Sequence, residues 1–168
     1  MKIEEIISML ESDCQRFKEK SDLYLKTDDP NIKMDCIDIA ITKINDITQI
    51  FKDISFFIEK RENRTIEKTK SLREKTKSLR ASIRFYQSLD LEHSENEMKF
   101  LDNLLLRNEI THDYFNRDIH YEELIEIIIN YSQGAIDLSN AIRNYCFKKG
   151  YFNDYLNECK QNVEDYPF

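Results

Sequence analysis

The sequence predicts an all-α fold, an antiparallel up-down helical bundle of about five helices followed by a short C-terminal helix. Three observations carry that prediction. Two glycines and two prolines in 168 residues leave few turn formers, so the chain is spent on long regular elements. Charged side chains make up 34% of the residues and hydrophobic ones 40%, proportions that suit solvated helix faces, each backed by an apolar stripe. The apolar residues recur at spacings of three and four rather than two. The length fits a single domain, 1–168, with a core of its own.

Residues 2–25 carry Ile3, Ile6, Ile7, Leu10, Cys14 and Phe17 on one face and form the first predicted helix. It stops at KTDDP, where Asp28 or Asp29 can cap and Pro30 can occupy the first turn of the next helix. In that second helix Ile37, Ala40, Ile44, Ile47, Phe51, Ile54 and Ile58 alternate three and four, while Ile41, Ile50 and Phe57 widen the stripe from a coiled-coil seam into a bundle core. Residues 67–80, EKTKSLREKTKSLR, are a tandem copy of seven residues. Seven residues change helix phase by only about 20°, so the copy is expected to lengthen a basic helix within 60–90, with Leu72, Leu79, Ile83 and Tyr86 roughly in line.

SENE at 94–97 reads as a capping box, with Ser94 bonding forward to the Glu97 amide and Glu97 reaching back. It opens a helix with Met98, Leu101, Leu104 and Leu105. After YFNRD a fifth helix takes Leu124, Ile128, Tyr131, Ala135, Leu138, Ile142 and Tyr145, until Lys148, Lys149 and Gly150 end it. Gly134 inside it points to close packing against a neighbour. At about 29 residues each, helices two and five would both run roughly 44 Å, equal lengths that suit an antiparallel bundle. The tail, 151–168, is expected to hold one short helix, its aromatic residues covering the bundle or a subunit interface.

Composition excludes some classes. Cys14, Cys36, Cys146 and Cys159 show no CxxC pair or zinc-like spacing, as expected of reduced structural thiols in a cytoplasmic protein. No apolar run approaches the roughly 20 residues that span a bilayer, so no membrane role is expected. Net charge is -7, against general adhesion to nucleic acid. Yet Lys60 to Arg84 holds ten basic and three acidic residues, a segment of +7 that leaves -14 for the remainder. Lys68, Lys70, Arg73, Lys75, Lys77 and Arg80 are therefore either one solvated helix face made by duplication or a patch for RNA or an acidic partner.

Chemistry concentrates in residues 107–114, RNEITHDY, within a chain of only three histidines. On an uninterrupted helix Arg107 and His112 sit about 140° apart and would not face a common ligand. Propensity falls at Thr111, Asp113, Tyr114 and Asn116, so the stretch is expected at a fraying helix end that turns His112 toward Arg107, or at a site completed by a second subunit across a two-fold axis. Arginine and histidine together suit phosphodiester cleavage: imidazole moves protons near neutral pH, and guanidinium grips non-bridging oxygens. Asn108, four residues before His112, could orient the ring or bind substrate. The bland alternative makes Arg107 and His112 helix-end residues bonding free carbonyls, and Tyr114 a core or interface aromatic. His120 reads as a surface residue and His93 as a loop residue with no evident partner.

The spacing of Arg107, His112 and Tyr114, with the polar Asn108 after the arginine, resembles the R-x4-H-x-Y signature of HepT-like toxins of the HEPN superfamily (higher eukaryotes and prokaryotes nucleotide-binding domains). The resemblance implies a helical bundle, a homodimer with facing motifs, and a ribonuclease that needs neither metal nor cofactor and leaves cyclic phosphate ends. It makes Arg107, His112 and Asn108 the catalytic set. It also implies a partner, a minimal nucleotidyltransferase antitoxin that adds AMP to the motif tyrosine, here Tyr114. Two other readings compete. EELIE at 122–126 resembles the EExxE of all-α MazG-like nucleoside triphosphate pyrophosphohydrolases, where Glu122, Glu123 and Glu126 could bind Mg2+, but no downstream ExxD follows. The other is a non-catalytic helical partner of a nucleotidyltransferase.

Overall fold

The computed structural model describes residues 1–62, 78–112 and 121–156. Among these the fold is all-α, as the periodicity predicts: α1 is Ile3–Lys26, α2 Pro30–Glu62, α3 Leu79–Ser88, α4 Glu95–His112, α5 Tyr121–Asn130 and α6 Ser132–Lys148, followed by a 3-10 turn at Tyr151–Asn153. No described helix is long and apolar enough to cross a membrane.

The α1 stripe of Ile3, Ile6, Ile7, Leu10, Cys14 and Phe17 is buried throughout. Of the two possible caps for α2, Asp29 is the one used: its Oδ1 accepts from Asn31 N at 2.9 Å, with Pro30 as the first helical residue. On α2, Ala40, Ile44, Ile47, Phe51, Ile54, Phe57 and Ile58 are buried. Each such side chain from Ile or Phe contributes about 1.5–3 kcal/mol through removal from water, so the α1/α2 seam is the backbone of the core. α1 also packs along α6, and α4 packs along α6 in turn. Polar clamps line these seams: Lys43 Nζ donates to Asp13 Oδ1 at 2.9 Å, and Arg143 of α6 donates to Glu11 at 2.6 and 2.9 Å and to Ser8 at 3.0 Å.

Gly134 does what its position in the sequence implies. A Cβ there would clash with the Asn96 carbonyl and lie 2.7 Å from Phe100 Cβ, so α4 and α6 meet at a distance only glycine permits. Gly150, with φ 75, ends α6 in the left-handed conformation, its N–H donating to Phe147 O at 3.1 Å.

The structure departs from the predicted elements in four places. The fifth predicted helix is two helices, broken at Tyr131 (φ -107, ψ 24), whose N–H bonds three residues back to Ile128 O. This lets α5 lie against α1, α2 and α4 while α6 takes its own course along α1 and α4. α2 runs 33 residues against 17 for α6, so the equal-length bundle does not form. The duplicated basic segment is not one helix through residue 80. Ser78 is extended (φ -107, ψ 132) and its Oγ accepts from Ala81 N, so a fresh helix starts at Leu79 with Leu79, Ile83 and Tyr86 buried in line. Leu72 and most of the two heptads lie outside the described residues.

The fourth departure is half of the capping box. Ser94 Oγ accepts from Glu97 N at 3.1 Å, as predicted, but the Glu97 carboxylate turns into the core. At the other end of the chain, residues after α6 seat the first helix: Ile3 N donates to Asp154 O at 3.0 Å and Leu156 N to Met1 O at 3.3 Å, forming an antiparallel bridge between Lys2 and Tyr155. Tyr151 stacks edge-on to Phe57 at 5.7 Å, so the start of the tail covers the bundle. Cys14, Cys36 and Cys146 are buried free thiols, and Cys159 lies outside the described residues.

Candidate functional site

The buried stripe of α4 runs Glu97, Phe100, Leu101, Leu104, Arg107, an apolar middle with an acid at one end and a base at the other. Met98 and Leu105 are only half-buried on its flanks. Arg107 falls three residues after Leu104, where the helical period would place another leucine. It is 9% exposed, and its Nη2 donates to Asn45 Oδ1 of α2 at 2.6 Å. A guanidinium at such a position needs polar partners, because burial of an unpaired charge is costly. Asn45 supplies one from the exposed flank of α2, beside the core residue Ile44. Nothing in the sequence near Asn45 marks it, since the two residues are 62 apart in the chain.

Asn108, next on α4, is half-buried. Glu109 is exposed and forms an ion pair with Arg80, so the first turn of α3 is held against the last turns of α4. Arg80 is the one member of the predicted basic patch among the described residues; Lys68, Lys70, Arg73, Lys75 and Lys77 lie outside them, as does Tyr114. α4 stays helical through His112, its last residue. The anticipated unwinding between Arg107 and His112 is therefore absent from the backbone, and the two Cα positions stand about 140° apart around the helix and about 7.5 Å along it. Arg107 faces α2, and the side chain of His112 lies outside the described part of the structure.

The acidic end of the stripe was not legible as a site. Glu97 is 1% exposed. Its Oε1 accepts from the Tyr86 hydroxyl of α3 at 3.0 Å, and its Oε2 pairs with His93 Nδ1. The Tyr86 and His93 rings meet edge-on at 4.8 Å. His93, read from sequence as a loop residue without a partner, thus closes a buried triad across the α3–α4 connection. Burial pushes the Glu97 carboxyl above the usual carboxylate range, with hydrogen bonds from His93 and Tyr86 pulling the other way. Burial, then the charge of Glu97, pushes the Tyr86 phenol up. Ser94 Oγ donates to Asp137 Oδ2 at 2.7 Å, tying the same corner to α6. Ten residues of helix put this triad about 15 Å from Arg107, so the two do not share a ligand.

A comparable knot forms after α6: Glu62 accepts from Tyr145 and Tyr151, and Tyr151, buried beside that carboxylate, is pushed up to about 12 by burial first and Glu62 second. The acidic EELIE segment does not gather into a centre among the described residues. Glu126 Oε1 accepts from Tyr24 OH at 2.8 Å, Glu123 is exposed, and no described group of three His, Cys, Asp or Glu side chains is placed to hold a metal ion. No protein-family model, no curated protein and no solved structure matches the chain.

Proposed function

We propose that the protein is a metal-independent endoribonuclease toxin of the HEPN type, acting as a homodimer and restrained by a nucleotidyltransferase antitoxin that adds AMP to Tyr114. The observation that carries this reading is the sequence spacing of Arg107, His112 and Tyr114, with Arg107 on α4 bonded to Asn45.

In the reaction, an imidazole of His112 takes the proton of a ribose 2′-OH, and O2′ attacks the adjacent phosphorus. The P–O5′ bond breaks as O2′–P forms. The departing O5′ receives a proton from an imidazolium, leaving a 2′,3′-cyclic phosphate and a 5′-hydroxyl. Arg107 stabilises the charge that builds on the non-bridging oxygens, and Asn108 assists by orienting ring or substrate. Helix geometry directs Arg107 and His112 of one α4 apart, so two copies related by a two-fold axis bring one copy's His112 to the other's Arg107. AMP on Tyr114, two residues beyond His112, would fill that junction with bulk and negative charge.

The test is cleavage of a labelled single-stranded RNA in EDTA by the wild type, Arg107→Ala and His112→Ala, alongside growth arrest on expression. Each variant is expected to lose at least about 100-fold in rate; equal activity in all three would sink the reading.

A further inference from the structure

A cavity of about 440 Å³ opens on the outward face of α3, lined among the described residues by Ser78, Arg80, Ala81, Arg84, Phe85 and Ser88. Arg80 and Arg84 are one turn apart and project from the same side, while Ala81, Phe85 and Ser88 form the stripe beside them. Arg80 is engaged by Glu109, which sits two residues past Arg107 on α4, so the cavity adjoins the end of α4 that carries the candidate site. Arg84 is exposed and pairs with no described carboxylate. Phe85 is half-buried, one side packed on the core.

We propose that this face is a subsite for a nucleotide of a single RNA strand whose scissile phosphate lies at Arg107; the assignment rests on the ribonuclease reading above. Guanidinium groups one turn apart match the oxygens of a phosphodiester. A phenyl ring beside them gives a base a surface to stack on, the recurring device of single-strand binders. The hydroxyls are also set for this ligand. Ser78 Oγ accepts from Ala81 N at 3.3 Å and keeps its own hydrogen for a phosphate oxygen. Ser88 Oγ spends its hydrogen on Phe85 O at 2.5 Å, so its lone pairs can accept from a ribose 2′-OH.

A volume of about 440 Å³ sits near the low end of the roughly 300–1,000 Å³ of small-molecule pockets, room for about one nucleotide and too little for a duplex. Charge favours the same occupant: in a chain of net charge -7, the exposed Arg84 beside an aromatic ring, with Arg80 shared with Glu109, is where an anionic strand would be steered. An acidic peptide would use the arginines and leave the ring and the hydroxyl pattern unexplained.

The experiment measures anisotropy of a short labelled RNA, made uncleavable by 2′-deoxy substitution at every position except the 3′-terminal one, whose 2′-OH has no 3′ phosphodiester to attack, with the full chain as wild type, Arg84→Ala and Phe85→Leu. The leucine keeps apolar packing while removing the stacking face, and thermal melting confirms folding of both variants. Expected are about a tenfold rise in Kd for each, and a salt dependence for Arg84→Ala shallower by about one phosphate contact. Unchanged Kd in both folded variants overturns the subsite, as does displacement of the RNA by polyglutamate at equal charge concentration, which would mark an acidic protein as the occupant. Cleavage of an ordinary RNA is read in parallel. Wild-type cleavage with KM unaltered by Arg84→Ala and Phe85→Leu removes the subsite and leaves the nuclease. Binding that depends on Arg84 and Phe85, without wild-type cleavage, supports the strand-binding face and removes the nuclease.

Discussion

The two ends of the α4 stripe are both buried and opposite in charge, an acid 1% exposed at one end and a base 9% exposed at the other. At the N-terminal end, Glu97 receives hydrogen bonds from two side chains of neighbouring elements, Tyr86 and His93. At the C-terminal end, Arg107 reaches across to α2, where its Nη2 donates to Asn45 Oδ1. A buried carboxylate fitted with matched donors holds helices together. A guanidinium within the R-x4-H-x-Y spacing is the group a phosphate would meet in the proposed reaction. Position along one helix therefore separates a structural polar cluster from a candidate reactive one, although both look like errors in an apolar stripe.

Substitutions at the two ends should separate accordingly. The largest effect is expected from Arg107→Ala, a fall in RNA cleavage of about 10³-fold, or about 4 kcal/mol, measured in single turnover, with a stability change of about 1 kcal/mol in urea titration. Glu97→Ala should invert that pattern. It strands the Tyr86 hydroxyl and His93 in the core and opens a cavity, so unfolding free energy falls by about 2–4 kcal/mol, while cleavage per folded molecule holds. A variant of Glu97 that kept stability but lost cleavage would break the distinction.

Asn45→Ala comes next, with an expected tenfold drop in kcat, about 1.4 kcal/mol, and little change in KM. Asn45 is a positioning residue in this scheme, and rescue by Gln or Ser at that site would sharpen it. A subtler effect is pH-linked. The Glu97 carboxyl is raised in the folded state, so between its ordinary value near about 4.3 and its raised value the unfolded chain releases its proton first, and stability falls as pH rises through that window. Glu97→Gln removes this slope: relative to the wild type, the variant gains stability as pH climbs from about 4, read from melting curves at matched ionic strength. Smallest of all is Glu109→Gln. Its pair with Arg80 is about half exposed on both sides, and breaking it should move stability by less than about 0.5 kcal/mol.

Local periodicity carried most of the fold. The buried faces of α1, α2 and α6, the Asp29 cap and the left-handed Gly150 all follow from residues within a turn of one another. The failures have a common cause, which is competition from the tertiary structure. Ser78 looked like one polar position of a repeated heptad, and its hydroxyl instead captures the Ala81 amide. Glu97 had a local role available as a capping residue, and the donors Tyr86 and His93 drew it inward. His93 to Glu97 is a spacing of four that could have been noticed, had Glu97 not already been assigned. Asn45 could not have been found: its partner lies in another helix and its own surroundings are ordinary. The motif residues Arg107 and His112 were legible as types and spacing, whereas the burial of Arg107 depends on α2 and only the folded chain provides it.

Contact between the first and last described segments sets how the chain can fold. The opening turn of α1 takes its acceptor from Asp154, and its flank is clamped by Arg143. Any fragment lacking α6 leaves α1 with one of its two long neighbours and an unfinished end. An α1–α2 hairpin buries the main seam but leaves the α6-facing side of α1 uncovered, so full burial of α1 needs contacts from the far end of the described chain. The two ends of the described chain meet as a clasp, not as the last members of a stack of helices.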